Sequence, residues 1–535
     1  MSKISDYLRQ HLTGEVSTEP NVRRALARDG SVFELAPQLA IYPRTTNDVR
    51  KVMRFAWRLA ERGQVLPITA RGGGTSTTGA VISSGAILSF TSHMASILEL
   101  DVRSNMVRVQ PGVSITSLNE AMATHGLFFP VEPSNARVAT VGGALASNAS
   151  GVKATKYGSI RNWTDRLEVV LANGEIIQTE RLTKQQLSRK KGLQTMEGEI
   201  YRSLDALIDD YSEKLSGLDS NAPFPLHQVK AKDGSFNLMP LIVGSEGTLG
   251  IITQAILKLE SRPDDVSLIA AAIPNGIDVA GLTDQLKELE PSQLDFIDGE
   301  TLKLIEAKDG GTPWQVVSKT RPATLIFIEF DDKHRAKKVK KVAKILTEAG
   351  VADAEIADTF EDQEALRAVN HSVSVITNFA DQHAAALPIS GGLMVTPNQV
   401  PELVDRIKKV LTKNHVAAGI WGSLGAGRVD VWPLLNLANL GQRQALFKLT
   451  REIRTLVEEM GGSILIETGG GRMGAAFTED FYGAEIAATF VKVKKIFDPF
   501  STLNSGVKTG TTQAELVKIL RKNYDRARFA ELNLS

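Results

Sequence analysis

Three consecutive glycines, Gly72, Gly73 and Gly74, follow the apolar run VLPITA and lead into four hydroxyl side chains, Thr75 to Thr78. No other feature of this sequence constrains the chain as much. Without Cβ atoms, successive backbone N–H groups can turn into one concavity that takes a phosphate or pyrophosphate. The hydroxyls add donors at the same rim. Two further clusters are Gly142-Gly143 with Ser147, Asn148 and Gly151, and Gly244 through Gly250. Together they point to one extended ligand. For any single cluster, a tight turn that needs glycine only for steric reasons stays open.

The clusters sit in an alternating texture. LAIYP reads as a strand, and Thr45 with its neighbours offers N-cap side chains. Val49, Val52, Met53, Ala56, Leu59 and Ala60 then recur at helical spacing up to Gly63, and VLPIT is the next strand. From about residue 264 the order becomes strand, helix, strand, repeated. VSLIAAAI precedes a helix over 277–290, TLIFIEF a basic helix over 333–349, and GGLMVTP a helix over 400–413. This alternation predicts an α+β domain whose sheet is covered on one face.

At 535 residues the chain exceeds the roughly 250–300 residues that one hydrophobic core supports. The reading divides it into a helical N-terminal segment (1–38), a glycine-rich domain (39–262), a second domain (263–495) and a returning C-terminal segment (496–535). In the first of these, Ile4, Tyr7 and Leu8 are expected to dock on the larger body. The formal charge of +1 gives no whole-chain field for nucleic acid. The absence of cysteine excludes disulfides, iron–sulfur clusters, thiol nucleophiles and cysteinyl–cofactor bonds. No signal-peptide pattern opens the sequence and no apolar run reaches the roughly 18 residues of a membrane span, so a cytoplasmic protein is expected.

The common phosphate fingerprints fail. No Walker A sequence is present. One G-x-G-x-x-G match, Gly469, Gly471 and Gly474, follows SILIE, but no strand-borne acid lies about 20 residues on, where a ribose hook belongs. The phrases PITARGGGTSTTG, EPSNARVATVGGALASNASG, KYG, GSEGTLGIIT and FDPFSTLNSG, in this order, resemble the vanillyl-alcohol-oxidase superfamily of flavoproteins. Within it the chain is most similar to the branch of D-lactate dehydrogenase, glycolate oxidase subunit and D-2-hydroxyglutarate dehydrogenase.

The resemblance implies a two-subdomain FAD-binding domain and an α+β substrate domain with a mainly antiparallel sheet. It implies that the backbone of Arg71, Gly72, Gly73, Gly74, Thr75 and Ser76 cradles the pyrophosphate. Pro133, Thr140, Gly142, Gly143, Asn148 and Gly151 would line the isoalloxazine and ribityl chain. Glu246, Gly250 and Ile251 would hold the adenosine side, and Asn504 would reach the flavin. Relatives that bond flavin covalently use a histidine where this chain has Thr75, so non-covalent FAD is expected.

The substrate half departs from the branch, which carries Gly-His-x-Gly-Asp-Gly-Asn-x-His and later Gly-Glu-His-Gly. Here the matching phrases are GSLGAGRVD and IETGGGR. Ser423 and Asp430 stand at the metal histidines, Thr468 at the base, and only Glu467 survives, so no metal is expected. Strand alternation puts Arg428, Asp430 and Trp432 on one face of GRVDVWP and Glu467 on one face of SILIE. If these strands are neighbours, Arg428, Asp430 and Glu467 share a cavity with Arg472 at its mouth. A guanidinium there can clamp a substrate carboxylate; a purely structural Arg–carboxylate network is the alternative. In LRAVNHSVSVI the functional histidine candidate is His371, with Arg367 or Asn370 at the arginine position of the relatives.

The expected function is oxidation of a small anionic 2-hydroxy acid by hydride transfer to FAD. A separate acceptor (quinone, electron-transfer protein or oxygen) would reoxidise the flavin. No nucleic acid is expected as a partner, and a homodimer stays open. The alternatives are a flavin-binding subunit with a lost dehydrogenase site, and a non-redox flavoenzyme like alkylglycerone-phosphate synthase.

Overall fold

A computed structural model describes residues 2–218, 222–263, 265–380, 383–464 and 469–522. The chain forms two compact units. One contains 2–149, 159–261 and 469–520; the other contains 150–158 and 262–464. The first unit therefore takes in the N-terminal segment, and it receives the chain again from 469 onward, earlier than the return near 496 read from the sequence.

In the first unit the strand–helix–strand opening forms as the apolar periodicity requires. Thr45 accepts a hydrogen bond from Asp48 N and caps the helix Thr46–Ala60, which buries Val49, Val52, Met53, Ala56 and Ala60. The flanking strands Leu39–Tyr42 and Ile68–Arg71 both pair in parallel with Ala86–Ser89. The N-terminal segment is less helical than its composition suggests. After the helix Ser2–His11 the chain adds a strand, Glu15–Ser17, antiparallel to Leu39–Tyr42. Asp48 fixes that entry, accepting from Thr13 N (2.9 Å), Thr13 Oγ1 (2.7 Å), Gly14 N (3.1 Å) and Arg44 N (3.0 Å). Leu8 docks in the core, whereas Tyr7 stays on the surface, stacked on Phe55 with ring centroids 4.8 Å apart. A five-stranded antiparallel sheet completes the unit, in the order Ile97–Asp101, Met106–Val109, Ile251–Lys258, Thr164–Val170 and Ile176–Thr179.

The second unit is built on an eight-stranded sheet whose pairings are all antiparallel. Its order is Ala354–Ala357, Ser267–Ile273, Thr324–Phe330, Gln293–Asp298, Ala418–Ser423, Arg428–Leu435 and Ala385–Ala386, with Leu393–Met394 also on Arg428–Leu435. Helices cover both faces, not one. The expected helices appear as Val279–Lys287, Arg335–Glu348 and Val400–Lys413. On the opposite face Leu268, Ala270, Ala272, Ile297, Leu325 and Phe327 pack with Leu302 and Ile305 of the helix Gly299–Asp309 and with Leu366 and Val369 of the helix Phe360–His371. The reason is in the strand itself: Ser267–Ile273 is apolar at nearly every position and buried throughout, which a one-sided sheet cannot satisfy.

The segment 150–158 packs on this second unit although it continues a glycine-rich phrase of the first. Lys153 Nζ lies 2.6 Å from Glu329, Lys156 Nζ 2.6 Å from Asp331, and Tyr157 OH donates to Asp331 at 2.8 Å. Among the described residues no helix is long and apolar enough to cross a membrane.

Candidate active site

In the first unit the glycine clusters meet each other. A Cβ on Gly72 would run into the Thr140 hydroxyl, and one on Gly73 into the Val138 carbonyl oxygen. Gly74 turns the loop at φ +75° beneath the Arg71 guanidinium, which donates to Val81 O at 3.2 Å. Gly73 is exposed and Thr75 and Ser76 are half-buried, so the loop presents its backbone outward. Ser76 Oγ is used locally, accepting from Thr78 N and Ala80 N at 3.3 Å. Thr140 caps the helix Val141–Ser147 by accepting from Gly143 N at 3.1 Å. Gly142 abuts Pro111, whereas a Cβ on Gly143 would meet only Thr140 Oγ1, at 3.3 Å. Asn148 ends the helix in the left-handed region (φ 54°), buried, and its Oδ1 has no partner. Gly151 belongs to the segment that packs on the second unit. Pro133 is half-buried, and its carbonyl accepts from Ala136 N at 2.9 Å.

Glu246 and Asn504 are committed to the protein. The Glu246 carboxylate accepts from Gly471 N at 3.1 Å through either oxygen and lies 3.5 Å from Lys508 Nζ. Burial raises the Glu246 carboxyl and lowers the Lys508 ammonium, each partly restored by the other. The G-x-G-x-x-G phrase is thus a turn that receives a carboxylate. Asn504 Nδ2 donates to Ala80 O (2.8 Å) and Glu246 O (2.6 Å), and its Oδ1 accepts from Thr69 Oγ1 at 3.0 Å. Gly250 abuts Val169, and Ile251 is a core residue. Arg472 is buried in the same unit and donates to Ile82 O at 3.1 Å, with burial lowering its guanidinium. Arg161, which sequence reasoning missed, donates to Val243 O at 3.0 Å; burial brings it down to about 10. A Cβ on Gly244 would stand 3.2 Å from both Arg161 Nη2 and Asn148 Cβ, so the second and third glycine clusters also meet.

In the second unit one edge of one sheet face is polar. Asp295 is in register with Ser423, and Ser423 with Arg428, so the three side chains share that face. Arg428 Nε lies 3.2 Å from Asp430 Oδ2, and Arg428 Nη1 lies 3.4 Å from Ser150 Oγ. Burial raises the Asp430 carboxyl and Arg428 opposes the rise. Gln293 Nε2 donates to Asp295 Oδ2 at 2.7 Å, and the nearby Ser423 and Asn370 side chains also favour the charged carboxylate, although the Ser423 hydroxyl itself donates to Leu294 O at 3.2 Å. Burial nevertheless pushes Asp295 up to about 6, Arg428 being the main opposing influence. Asn370 therefore stands at this site, while its neighbour His371 is exposed. Arg367 pairs with Glu329 at 3.1 Å. Glu467 and Thr468 lie outside the described residues. No group of three or more His, Cys, Asp or Glu among the described residues is placed to hold a metal ion.

Two family models match the chain: an FAD binding domain matches residues 37–180, and the C-terminal domain of FAD linked oxidases matches 262–507, which takes in the segment from 469 that packs in the first unit. The chain belongs to the FAD-linked oxidases. D-2-hydroxyglutarate dehydrogenase of Haemophilus influenzae is 27% identical to it over 533 residues, covering 94% of this chain and 51% of that protein. The chain thus spans about half the length of the curated D-2-hydroxyglutarate dehydrogenases it matches. The glycolate oxidase subunit of Bacillus subtilis is 27% identical over 484 residues, 89% of each chain. Among solved structures, p-cresol methylhydroxylase with substrate bound aligns over 96% of this chain and 97% of its own, with a TM-score of 0.69 at 15% identity, a likeness of fold.

FAD is the cofactor of this family, and the first unit fits it. Asn148 Oδ1 is a buried acceptor left open, and Gly143 keeps one side clear of protein. A second opening in this FAD-linked oxidase is a cleft of about 870 Å³ lined by Ser203, Tyr211, Lys214, Glu485 and Lys492. Within it Lys214 pairs with Glu485, and Lys492 donates to Tyr211 OH at 2.7 Å.

Proposed function

We propose that this FAD-linked oxidase is a dehydrogenase of small 2-hydroxy acids such as D-lactate, glycolate or D-2-hydroxyglutarate. The observation that carries the reading is the Arg428–Asp430 pair beside Asp295 on the polar edge of the second unit's sheet. A guanidinium oriented by a neighbouring carboxylate suits bidentate binding of the substrate carboxylate. Bound FAD supplies the two-electron oxidant that takes a hydride from the carbinol carbon. The cofactor would be held by the Arg71–Ser76 backbone, Gly143 and Asn148, without a covalent bond, since Thr75 offers no linking atom. Reoxidation falls to a separate acceptor, because a chain without cysteine holds no iron–sulfur cluster.

Anaerobic addition of D-lactate, glycolate and D-2-hydroxyglutarate to the purified FAD-loaded protein tests the reading. Bleaching by at least one acid is expected. An unchanged flavin spectrum with all three rejects it and favours the second reading, a flavin-binding subunit without its own dehydrogenase site. That reading draws on Ser423 and Asp430 standing where the branch has histidines.

A further inference from the structure

Oxidising an alcohol to a carbonyl removes a hydride from carbon and a proton from oxygen, so the protein must accept that proton. The polar edge of the second unit offers four carboxylates. Asp430 is paired with Arg428, Glu329 with Lys153 and Arg367, and Asp331 with Lys156 and Tyr157. Asp295 differs: among the described residues no cation lies within 4 Å of it, its hydrogen-bond donor is the neutral Gln293 amide, and the neutral Ser423 and Asn370 side chains lie close enough to favour its charged form. It is half-buried on an otherwise fully buried strand, in register with Ser423 and Arg428. Burying a carboxylate with no cation of its own is unfavourable, so its position needs a reason beyond folding.

We infer that Asp295 is the general base of this site, a catalytic residue that no family feature assigns. The inference rests on the hydroxy-acid reading above. Arg428 would hold the substrate carboxylate while the substrate hydroxyl faces Asp295. The O–H bond breaks and its proton passes to a carboxylate oxygen of Asp295. The C–H bond would break with its electron pair leaving as hydride, for which bound FAD would be the two-electron acceptor, and the carbon–oxygen double bond would form. The substrate would thus lose two electrons to FAD, and Asp295 would return its proton to water. The charged groups around Asp295 are Arg428 and Asp430 two strands away across Ala418–Ser423, Glu329 on the neighbouring strand Thr324–Phe330, Arg367 on the helix Phe360–His371 and Lys153 on the 150–158 segment. With Asp295 at about 6, the base is ready above that pH and neutral below it. The same shift has a structural sign. The folded carboxyl binds its proton more tightly than the unfolded one, so Asp295 costs stability as pH rises from about 4 through about 6, and the cost is constant at higher pH.

The test compares the FAD-loaded wild type with Asp295→Asn and Asp295→Ser between pH 5 and 8, reading anaerobic flavin reduction by the same three hydroxy acids and thermal melting. The wild-type rate should rise through about pH 6. The variants should keep their FAD, reduce it roughly 100-fold or more slowly with a flat pH profile, and melt no lower than the wild type above pH 6. Wild-type rates in the variants overturn the inference, and so does loss of folding or of FAD in both, which would mark Asp295 as structural. If no acid bleaches the wild type, the hydroxy-acid reading fails and melting still decides. A wild type that loses stability relative to Asp295→Asn from pH 5 to 7 supports a raised, strained carboxylate, and parallel curves overturn it.

Discussion

The two units spend their buried charge differently. In the first, Glu246, Lys508, Arg472, Lys494 and Asp498 bind backbone groups or one another and hold returning chain segments together. In the second, Asp295 and Asp430 sit at a polar edge where burial raises both carboxyls and Arg428 is the main influence opposing it. A buried ionic group satisfied by backbone partners builds architecture. A carboxylate held by a neutral donor and outside any ion pair of its own is available for proton chemistry.

The comparison breaks first, and with the largest effect, at Lys494. Its ammonium donates to Asp498 Oδ2 (2.5 Å), Thr248 O (2.9 Å) and Leu503 O (2.6 Å), while Asp498 accepts from Thr502 N and Leu503 N. Lys494→Met leaves Asp498 buried without its cation and should cost about 3–5 kcal/mol, read by urea denaturation. A loss below about 1 kcal/mol would mean that the first unit does not depend on its ionic ties. A second experiment separates glycines that shape the first unit from one that faces ligand. Gly73→Val drives a side chain into Val138 O and should lose both melting temperature and FAD. Gly143→Val should keep its fold to within about 1–2 kcal/mol and lose most of its FAD, because only Thr140 Oγ1 is near, so cofactor occupancy and melting should part company only there. The smallest effect sharpens the picture of the second unit. Thr359 caps the helix that carries Asn370 by accepting from Asp362 N at 3.2 Å. Thr359→Ala should cost about 1 kcal/mol and, by loosening Asn370, move the wild-type pH–rate midpoint upward.

Much of the first unit was legible because its motifs are contiguous. Glycine at 72–74, 142–143 and 244–250 marks close approach wherever it occurs, and the spacing of Val49, Val52, Met53 and Ala56 reports a helix directly. The strand Glu15–Ser17 was missed because three residues carry no period. The second unit's site was only partly legible. Arg428 and Asp430 were readable from alternation, but their neighbours come from far along the chain: Ser150 is 278 residues away from Arg428. Asp295 gave one local sign, an acid within the apolar QLDFID, which periodicity reads as an outward-facing residue. Arg472 was placed with Arg428 on the strength of sequence adjacency to Glu467, whereas its guanidinium is bound to Ile82 O in the first unit.

The central claim is that this chain binds a 2-hydroxy acid through Arg428 and oxidises it at the expense of bound FAD. It is tested most directly by anaerobic titration of the FAD-loaded wild type and Arg428→Ala with D-lactate, glycolate and D-2-hydroxyglutarate, following the flavin's visible absorbance. The account predicts that at least one acid bleaches the wild type, and that Arg428→Ala keeps its full FAD content but needs at least about tenfold more of that acid, the loss of roughly one charge-assisted hydrogen bond. No bleaching of the wild type by any acid, or identical titrations of the two proteins, would contradict it.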